Sequence, residues 1–324
     1  MDILGLGYLG LSSPSVEAWR DYATAVLGME VAETRAGYDP ETLYLRMDDR
    51  EHRIAIRPAE LDDIEYIGWE AKDRTAYRQV LQRLGERNVP FELGDANLVK
   101  LRGVREVARF KDPAGYQHEI FYGQRWHPDS FTSPRRGHKG FAAGPDGLGH
   151  VVLISPQPLE VIDEFFIGIL GFEWFGYGFG GTNMTFLRTP LNGRSHSIAY
   201  AYVPGHKGLQ HLGLAFNALD DVGITQDRVI ERELKMQMTL GRHTNDPIIS
   251  FYHFTPGQFP VECLWEEHPW IEANVGFEVN PTALSTWGHK VVGPMVGTTV
   301  RPLDSSATGS GPALRPVKDG KVAA

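Results

Sequence analysis

Three residues in the second half of the chain have the side-chain types of a metal site: His150, His211 and Glu262. Each lies in a short run with the apolar alternation of a strand, which predicts that the three stand on separate strands. Two histidines and one carboxylate form the facial triad that suits non-haem Fe(II). Such a triad covers one face of an octahedron and leaves positions for substrate and oxygen. We therefore expect an Fe(II) site here, and the same ligands would also accept Mn(II).

The same three positions recur in the first half, where two of them carry other residues. GLGYLGLSSP (residues 5–14) and GLGHVVLISP (residues 147–156) are identical at six of ten positions. EYIGWEA and DPAGYQHEIFY match QHLGLAF and TPGQFPVECLW at similar offsets. The counterparts in the first half are Tyr8, Tyr66 and Glu119. Two tyrosines would make a poor Fe(II) site, so we expect the first half to be metal-free scaffold.

Helices and strands are predicted in the same order in both halves. PSVEAWRDYATAVLGM places Trp19, Ala23, Val26 and Leu27 at helical spacing before Gly28, a predicted helix C-cap. PLEVIDEFFIGILGF repeats this design, and short aromatic-rich runs such as HSIAYAYV predict the intervening strands. These patterns predict an α+β fold of two similar domains, each built from two βαβββ modules.

The two halves divide near HPDSFTSPRRGHKG, a stretch rich in proline, glycine, serine and basic residues. We predict a metal-free domain over residues 1–135 and a catalytic, metal-binding domain over residues 136–302. Residues 303–324 read LDSSATGSGPALRPVKDGKVAA. This composition offers little apolar surface to bury, and it predicts a flexible tail.

Strand periodicity predicts which side chains share a face with the histidines. In HLGLAF, a period of two places His211 with Gly213 and Ala215, which leaves room beside the histidine. In FYHFTPGQFPVEC, a three-residue loop at 256–258 would pair Tyr252 with Glu262 across a hairpin. A two-residue loop would instead pair that tyrosine with Val261. The sequence leaves both registers open.

Composition excludes several classes of partner. The net charge is −9 and there is no Lys/Arg stripe, which argues against nucleic acid. No run of eighteen apolar residues exists, so we expect no membrane span. The single cysteine, Cys263, fits the reducing cytoplasm. GLGYLG matches the dinucleotide fingerprint formally, but only four residues precede it and no helix follows directly, so we expect no nucleotide site.

Several segments in order resemble the type I extradiol ring-cleavage dioxygenases of the vicinal oxygen chelate superfamily. They are GLGH (147–150), SHSIAYAYVP (195–204), LQHLGLAF (209–216), GRHTND (241–246) and SFYHFTPGQFPVE (250–262). The likeness runs from about residue 3 to STWGHK at 285–290. Within that family it is greatest to enzymes acting on 2,3-dihydroxybiphenyl and 1,2-dihydroxynaphthalene.

The resemblance implies roles for residues around the three ligands. It implies that His196 stands beside the oxygen-binding position as an acid/base. It also implies that His243 and Tyr252 hydrogen-bond the catecholate oxygens and that Asp246 supports them, with the GRHTND segment forming a loop. Two departures, the proline at 247 and the VECLW run, bear on substrate range. From strand position, Val152 and Phe186 are predicted to line the ring pocket.

Together these features predict an Fe(II)-dependent enzyme that inserts both atoms of O2 into a catecholic aromatic, beside the diol. The resemblance further implies a homo-oligomer acting in aromatic hydrocarbon degradation. One alternative is a non-redox isomerase or epimerase of the glyoxalase type, whose sites usually employ a second carboxylate. The other is a metal-free protein that binds an aromatic molecule on the same fold.

Overall fold

The computed structural model describes residues 2–33, 37–178, 183–191, 193–246, 248–266 and 283–303. The predicted flexible tail therefore lies outside the described residues, apart from Leu303. The described part contains two large mixed sheets and few helices, the α+β class that the sequence predicts.

The first sheet is built from two successive βαβββ modules. The first module comprises β1 (Ile3–Ser13), α1 (Val16–Asp21) with a π-helical turn (Tyr22–Leu27), β2 (Glu30–Val31), β3 (Leu43–Arg46) and β4 (Ile54–Pro58). The second comprises β5 (Asp63–Ala71), α2 (Arg74–Glu86), β6 (Phe91–Leu93), α3 (Ala96–Arg102), β7 (Glu106–Lys111) and β8 (Gln117–Tyr122).

The second sheet repeats this pattern after a 3₁₀ turn (Gly144–Asp146). Its first module comprises β9 (Gly149–Ser155), α4 (Leu159–Phe165) with a π-helical turn (Phe166–Leu170), β10 (Glu173–Tyr177), β11 (Met184–Arg188) and β12 (Ile198–Tyr202). Its second comprises β13 (His206–Ala215), α5 (Leu219–Glu231), β14 (Met236–His243), β15 (Ile248–Phe254) and β16 (Pro260–Glu266). Two short strands follow, β17 (Ser285–Gly288) and β18 (Arg301–Pro302).

Strand order is the same in both sheets. The first runs β2-β3-β4-β1-β5-β8-β7-β6, and the second runs β10-β11-β12-β9-β13-β16-β15-β14, with β17 added at its edge. In each sheet the first strands of the two modules, β1 with β5 and β9 with β13, pair antiparallel at the centre. Each curved sheet therefore presents the same three central strands to its interior, and these strands carry the repeated positions.

Local sequence explains where the first helix of each domain ends. Gly28 and Gly171 both adopt left-handed backbone, with φ of 84° and 78°. Glycine enters that region without the steric cost of a Cβ, so it closes a helix readily. The predicted C-cap at Gly28 is thus confirmed. Trp19, Val26 and Leu27, predicted to share one helical face, are buried in the main core.

The helices of both halves meet in one hydrophobic core between the sheets. The rings of Phe165 and Phe166 pack against Phe110 and His118 of the first sheet, with centroids 6.1 and 5.6 Å apart. Polar contacts cross the same boundary, including the Tyr22 hydroxyl to the His253 Nε2 at 2.7 Å. The domain boundary at residue 135 stays a prediction. Among the described residues no helix is long and apolar enough to span a membrane.

Candidate metal centre and ring pocket

The three predicted metal ligands stand on the three central strands of the second sheet. Across β9 and β13, His150 faces Gly213 and Val152 faces His211, and across β13 and β16, Gly213 faces Glu262. This register directs the three side chains to one point inside the curved sheet. All three are buried.

Their ligand atoms converge closely enough to share one ion. The Nε2 atoms of His150 and His211 lie 3.1 Å apart, and the Glu262 Oε2 lies 2.9 Å and 3.5 Å from them. Bonds of ~2.1 Å at right angles would hold ligand atoms ~3.0 Å apart. These distances and the N₂O donor set therefore fit a divalent metal bound on one face.

The charge of this cluster also fits a cation. Burial opposes ionisation of Glu262, but the adjacent histidines outweigh it and hold the pKa of that carboxyl well below its ordinary range. Burial lowers the pKa of His211 to about 4, so its imidazole is neutral at pH 7. A neutral imidazole and an ionised carboxylate are the forms that bind metal.

Gly213 leaves the space that the His150 ring fills. A Cβ built on Gly213 would lie 2.2 Å from the His150 Cε1 and 2.3 Å from its Nε2. Ordinary contacts begin near 3.4 Å, so no side chain fits here without moving the ring. The roomy face that the strand period predicts beside His211 is in fact occupied by the other histidine ligand.

His196 lies against the metal cluster, and hydrogen bonds on its far side fix its ring. Its ring centroid is 4.1 Å from that of His150. Its Nδ1 contacts the Ser195 hydroxyl at 3.1 Å, and that hydroxyl donates to the Asp246 Oδ2 at 3.3 Å. Burial lowers the pKa of His196 well below its ordinary value, so the ring is a neutral base at pH 7.

His243 and Tyr252 form a hydrogen-bonded pair on the other side of Glu262. The His243 Nε2 lies 2.9 Å from the Tyr252 hydroxyl and 3.5 Å from the Glu262 Oε1. Burial alone would lower the pKa of His243, but the Glu262 and Asp246 carboxylates outweigh it and raise that pKa. Burial raises the pKa of Tyr252, which therefore remains a neutral phenol.

The hairpin register that positions Tyr252 is the three-residue alternative. Tyr252 pairs with Glu262, and the Thr255 N–H donates to the Phe259 carbonyl, so residues 256–258 form the loop. One expectation needs correction. His243 is the last residue of β14 and pairs with Ser285 of β17, so only the end of GRHTND lies in a turn. The added edge strand extends regular structure to this histidine.

The metal cluster forms the polar end of a cavity of about 500 Å³. His196, His243, Tyr252 and Asp246 line this end together with the ligands His211 and Glu262. The remaining wall is largely apolar and includes Ile154, Met184, Phe186, Met238, Met295 and Val296. Such a shape suits an apolar ring that carries oxygen atoms at one end.

The two predicted pocket residues differ in their location. Phe186 lines the cavity, and its ring stands edge-on to His196 with centroids 5.1 Å apart. Val152 is fully buried and packs with Phe175, Phe186 and Ala199 behind the cavity wall. Val152 therefore packs behind Phe186 and is not among the residues that line the cavity.

Comparison with known proteins agrees with this site. Residues 147–263 match the model of the Glyoxalase/Bleomycin resistance protein/Dioxygenase superfamily, and residues 6–58 match Dihydroxybiphenyl dioxygenase BphC D1. An iron-dependent extradiol dioxygenase of Rhodococcus jostii is 36% identical over 89% of this chain and 97% of its own. The chain belongs to the extradiol dioxygenases. It is therefore an iron-dependent enzyme that cleaves catecholic rings.

Two further relatives span nearly the whole dioxygenase. A biphenyl-2,3-diol 1,2-dioxygenase of Paraburkholderia xenovorans is 34% identical over 90% of this chain and 97% of its own. The crystal structure of a halotolerant catechol dioxygenase superposes with a TM-score of 0.84 at 30% identity. That match covers 93% of this chain and 99% of the other. The two-domain vicinal oxygen chelate fold is thereby shown.

In this extradiol dioxygenase the first domain holds an arginine where the second has its metal ligands. The Arg102 guanidinium donates to both Glu119 oxygens, from Nε at 2.8 Å and from Nη2 at 2.9 Å. The Tyr8 hydroxyl donates to the same carboxylate at 2.7 Å, and the Arg102 Cζ lies 3.5 Å from the Tyr66 ring centroid. A fixed organic cation thus neutralises the buried Glu119.

Sequence reasoning did not identify three polar residues beside the dioxygenase's site. They are Ser195, which joins Asp246 to His196, and two glutamines in the cavity wall, Gln210 and Gln237. Ser195 precedes His196 directly, and strand alternation assigns such neighbours to opposite faces. Ser195 and His196 both precede the first residue of β12, so strand alternation does not apply to them. A bulge breaks it at Gln210.

Proposed function

We propose that this chain cleaves a substituted or two-ring catechol beside its diol, with His150, His211 and Glu262 holding Fe(II). The observation that carries the proposal is the three-ligand cluster at the polar end of an apolar cavity of about 500 Å³. When bound there, Fe(II) brings the catechol and O2 together and offers an electron path between them. Mn(II) suits the same ligands.

His243 and Tyr252 orient the catechol oxygens in this proposal. Both side chains are buried, and their Nε2 and hydroxyl lie 2.9 Å apart facing the cavity. The raised pKa of Tyr252 keeps its proton on the phenol, so the hydroxyl can donate to an oxygen that has lost its own proton. The hydrogen bond from a neutral donor stabilises the deprotonated diol without adding another buried charge.

His196 accepts and returns the proton in this proposal. Contact of its Nδ1 with the Ser195 hydroxyl leaves Nε2 as the ring nitrogen for proton exchange. A neutral histidine beside the reacting oxygens can take a proton from the diol and give it back as the ring opens. Asp246 holds Ser195 in place, and its Oδ2 also lies 3.9 Å from the His196 Nδ1. Cleavage next to the diol gives a hydroxylated dienoic semialdehyde or keto acid.

The apolar wall supports a substrate larger than catechol. Phe186, Met295 and Val296 line the cavity and offer an apolar wall that a second ring or an alkyl group would contact. The relative from Paraburkholderia xenovorans is named for biphenyl-2,3-diol, which carries a second ring. We therefore propose that 2,3-dihydroxybiphenyl and 1,2-dihydroxynaphthalene are turned over with a higher kcat/KM than catechol.

The test mixes Fe(II)-reconstituted protein aerobically with catechol, 3-methylcatechol, 2,3-dihydroxybiphenyl and 1,2-dihydroxynaphthalene. Oxygen uptake and visible absorbance are followed together. We expect a coloured product and one O2 consumed per substrate. Lack of uptake despite stoichiometric iron would favour a non-redox isomerase or epimerase. Failure to hold iron at all would favour the metal-free aromatic-binding alternative.

Two variants separate metal binding from proton transfer. His211→Ala should lose bound iron and activity, because one of three ligands is gone. His196→Ala should retain iron while kcat falls by roughly 10²–10⁴, the usual effect of general acid–base catalysis. Iron content of each purified variant is measured beside its steady-state rate. Full activity of the His211 variant would remove the triad from the mechanism.

The proposal extends to the surroundings of the enzyme. The free thiol of Cys263 is buried, and the net charge is −9. These properties support a cytoplasmic protein that binds no nucleic acid or membrane. A homo-oligomer is proposed from the family resemblance, and sedimentation of the purified protein tests it.

A further inference from the structure

Gln210 occupies a β-bulge immediately before the metal ligand His211. Between β13 and β9, Leu209 pairs with Leu153 and His211 pairs with Val152, so Gln210 has no partner in that register. A bulge re-aims side chains beside a site. Gln210 and His211 accordingly both line the cavity, although consecutive strand residues normally face opposite sides.

The same bulge occurs in the metal-free domain. There β1 and β5 skip Glu65 between the pairs formed by Ile64 and Tyr66, the counterparts of Leu209 and His211. Glu65 forms an ion pair with Arg57 near the surface. The backbone feature therefore belongs to the repeated fold, whereas the contacts of Gln210 belong to the metal-binding domain alone.

The Gln210 amide contacts two different parts of the site. Its Oε1 lies in hydrogen-bond contact with the Nδ1 of His211. Its Nε2 donates to the main-chain oxygen of Met295 at 2.8 Å. Because Oε1 can only accept, this contact requires the proton of the His211 imidazole on Nδ1. The Nε2 lone pair then faces His150 and Glu262.

Met295 belongs to a segment that covers the cavity, which we call the mouth segment (residues 291–299). Met295 and Val296 line the cavity, yet both remain 48% and 41% exposed. Other contacts also hold the segment. The main-chain oxygen of Gln237 accepts from the N–H groups at 292 and 293, and the Gln237 side chain donates to the Pro294 oxygen at 2.9 Å. The Thr298 N–H donates to the Gln258 oxygen, the Thr299 hydroxyl donates to the Leu209 oxygen at 2.8 Å, and Val291 bridges to Met238. Thr299 reaches the strand of His211 at Leu209, and the Gln210 side chain contacts both the segment and the His211 ring itself.

We propose that Gln210 is a positioning residue that couples the mouth segment to His211. Its oxygen fixes the tautomer and orientation of the imidazole, and its amide holds the cavity wall against the same strand. The inference rests on the proposed function, because it takes His211 as a metal ligand. Coupling between two sites is reciprocal. Metal binding must therefore order the mouth segment, and an ordered mouth segment must strengthen metal binding.

Three variants test separately the contacts of Gln210 with His211 and with Met295. Gln210→Leu removes both. Gln210→Glu keeps an acceptor for the His211 Nδ1 proton and removes the donor to Met295. Gln237→Leu is the matched control, because it removes the bond to Pro294 at the same segment and contacts none of the three metal ligands.

The experiment measures metal affinity and segment order without turnover. Chelator-stripped protein is titrated anaerobically with Fe(II), and hydrogen exchange of the mouth-segment amides is followed with and without metal. In the wild type, Fe(II) should slow that exchange. Gln210→Leu should weaken Fe(II) binding by roughly 10–100-fold, as expected for a residue that orients a metal ligand. Gln210→Glu should bind Fe(II) at least as tightly as wild type, yet Fe(II) should no longer slow exchange.

The control variant and the results that would overturn the inference can be told apart. Gln237→Leu should speed exchange of the mouth segment and lower Fe(II) affinity by no more than about threefold, because it removes one bond of that segment and leaves both Gln210 contacts in place. Equal affinity of Gln210→Leu and wild type would overturn the inference. Equal losses in Gln210→Leu and Gln237→Leu would also overturn it, because general loosening would then explain both. Absence of Fe(II) binding by the wild type would instead overturn the proposed function.

Discussion

Gly213 is the position where a single methyl group should disable the metal site. Gly213 lies between His150 on one neighbouring strand and Glu262 on the other. The Cβ of Gly213→Ala would lie 2.2 Å from the His150 Cε1, where ordinary contact begins near 3.4 Å. The ring must therefore move by about 1.2 Å, or the strands must separate.

That displacement exceeds what a metal site tolerates. Metal–ligand distances hold to within about 0.2 Å of their preferred values. A shift of 1.2 Å therefore removes His150 from the coordination sphere and leaves two ligands. We expect Fe(II) affinity to fall by more than about 100-fold, beyond the usual effect of residues that only orient ligands. Overpacking of the strand should cost about 1–3 kcal/mol of unfolding free energy.

The duplicated fold supplies a matched control. Gly68 holds the same place between Tyr8 and Glu119 in the first domain. A Cβ there would lie 2.2 Å from the Tyr8 Cε2. Gly68→Ala should lose similar stability but bind Fe(II) normally, because no metal ligand moves.

The assay combines anaerobic Fe(II) titration of the chelator-stripped variants with urea unfolding. Urea midpoints report the steric cost in both variants, and Fe(II) affinity reports the position of His150. Wild-type affinity in Gly213→Ala would refute the reasoning, because the ring would then have another place to go. Equal loss of affinity in Gly68→Ala would refute it too, since damage to either sheet would suffice.

Two further predictions concern buried charge. Arg102→Met leaves the Glu119 carboxylate buried without a cation and should cost about 3–5 kcal/mol in urea unfolding, whereas adding Glu119→Gln should restore much of it. Fe(II) content should not change in either protein. Burial lowers the pKa of His253 to about 3, so its contribution to stability is present above pH 6.5 and is lost as pH falls. Between pH 7.5 and 5.5 the unfolding free energy of His253→Asn should therefore fall by about 1.4 kcal/mol less than that of the wild type, as measured by urea unfolding. Equal falls in the two proteins would contradict this.

The repeated sequence predicted the parts of the site that depend on strand register. His150, His211 and Glu262 occupy matching places in a fold that occurs twice, and each faces the neighbour that its counterpart faces. Because loop length sets the register of a hairpin, the sequence predicted the Tyr252–Glu262 pairing as one of two possible registers. The loop closed by Thr255 and Phe259 selects it.

Contacts that depend on breaks in strand regularity could not be predicted in this way. Gln210 lines the cavity because a bulge cancels one step of alternation, and no residue type marks that bulge in the sequence. The mouth segment has no periodic pattern, so its position over the cavity follows from long-range contacts alone. Val152 shares the face of His150 as predicted, but Phe186 covers it, and single-strand periodicity carries no information about such layering.

The difference between Tyr8 and His150 is best understood from the glutamate that both domains share. Glu119 and Glu262 are each buried at the same point of the fold, and a buried carboxylate needs a cation beside it. In the first domain the Arg102 guanidinium supplies that charge permanently, and the Tyr8 hydroxyl donates a further hydrogen bond to the same carboxylate. In the second domain the two histidines bring nitrogen donors that bind a metal, and the lowered pKa of His211 keeps its ring neutral, so that ring does not balance the carboxylate. We therefore expect the second domain to require a bound cation at the point where the first domain carries Arg102, and metal removal should destabilise only the second domain.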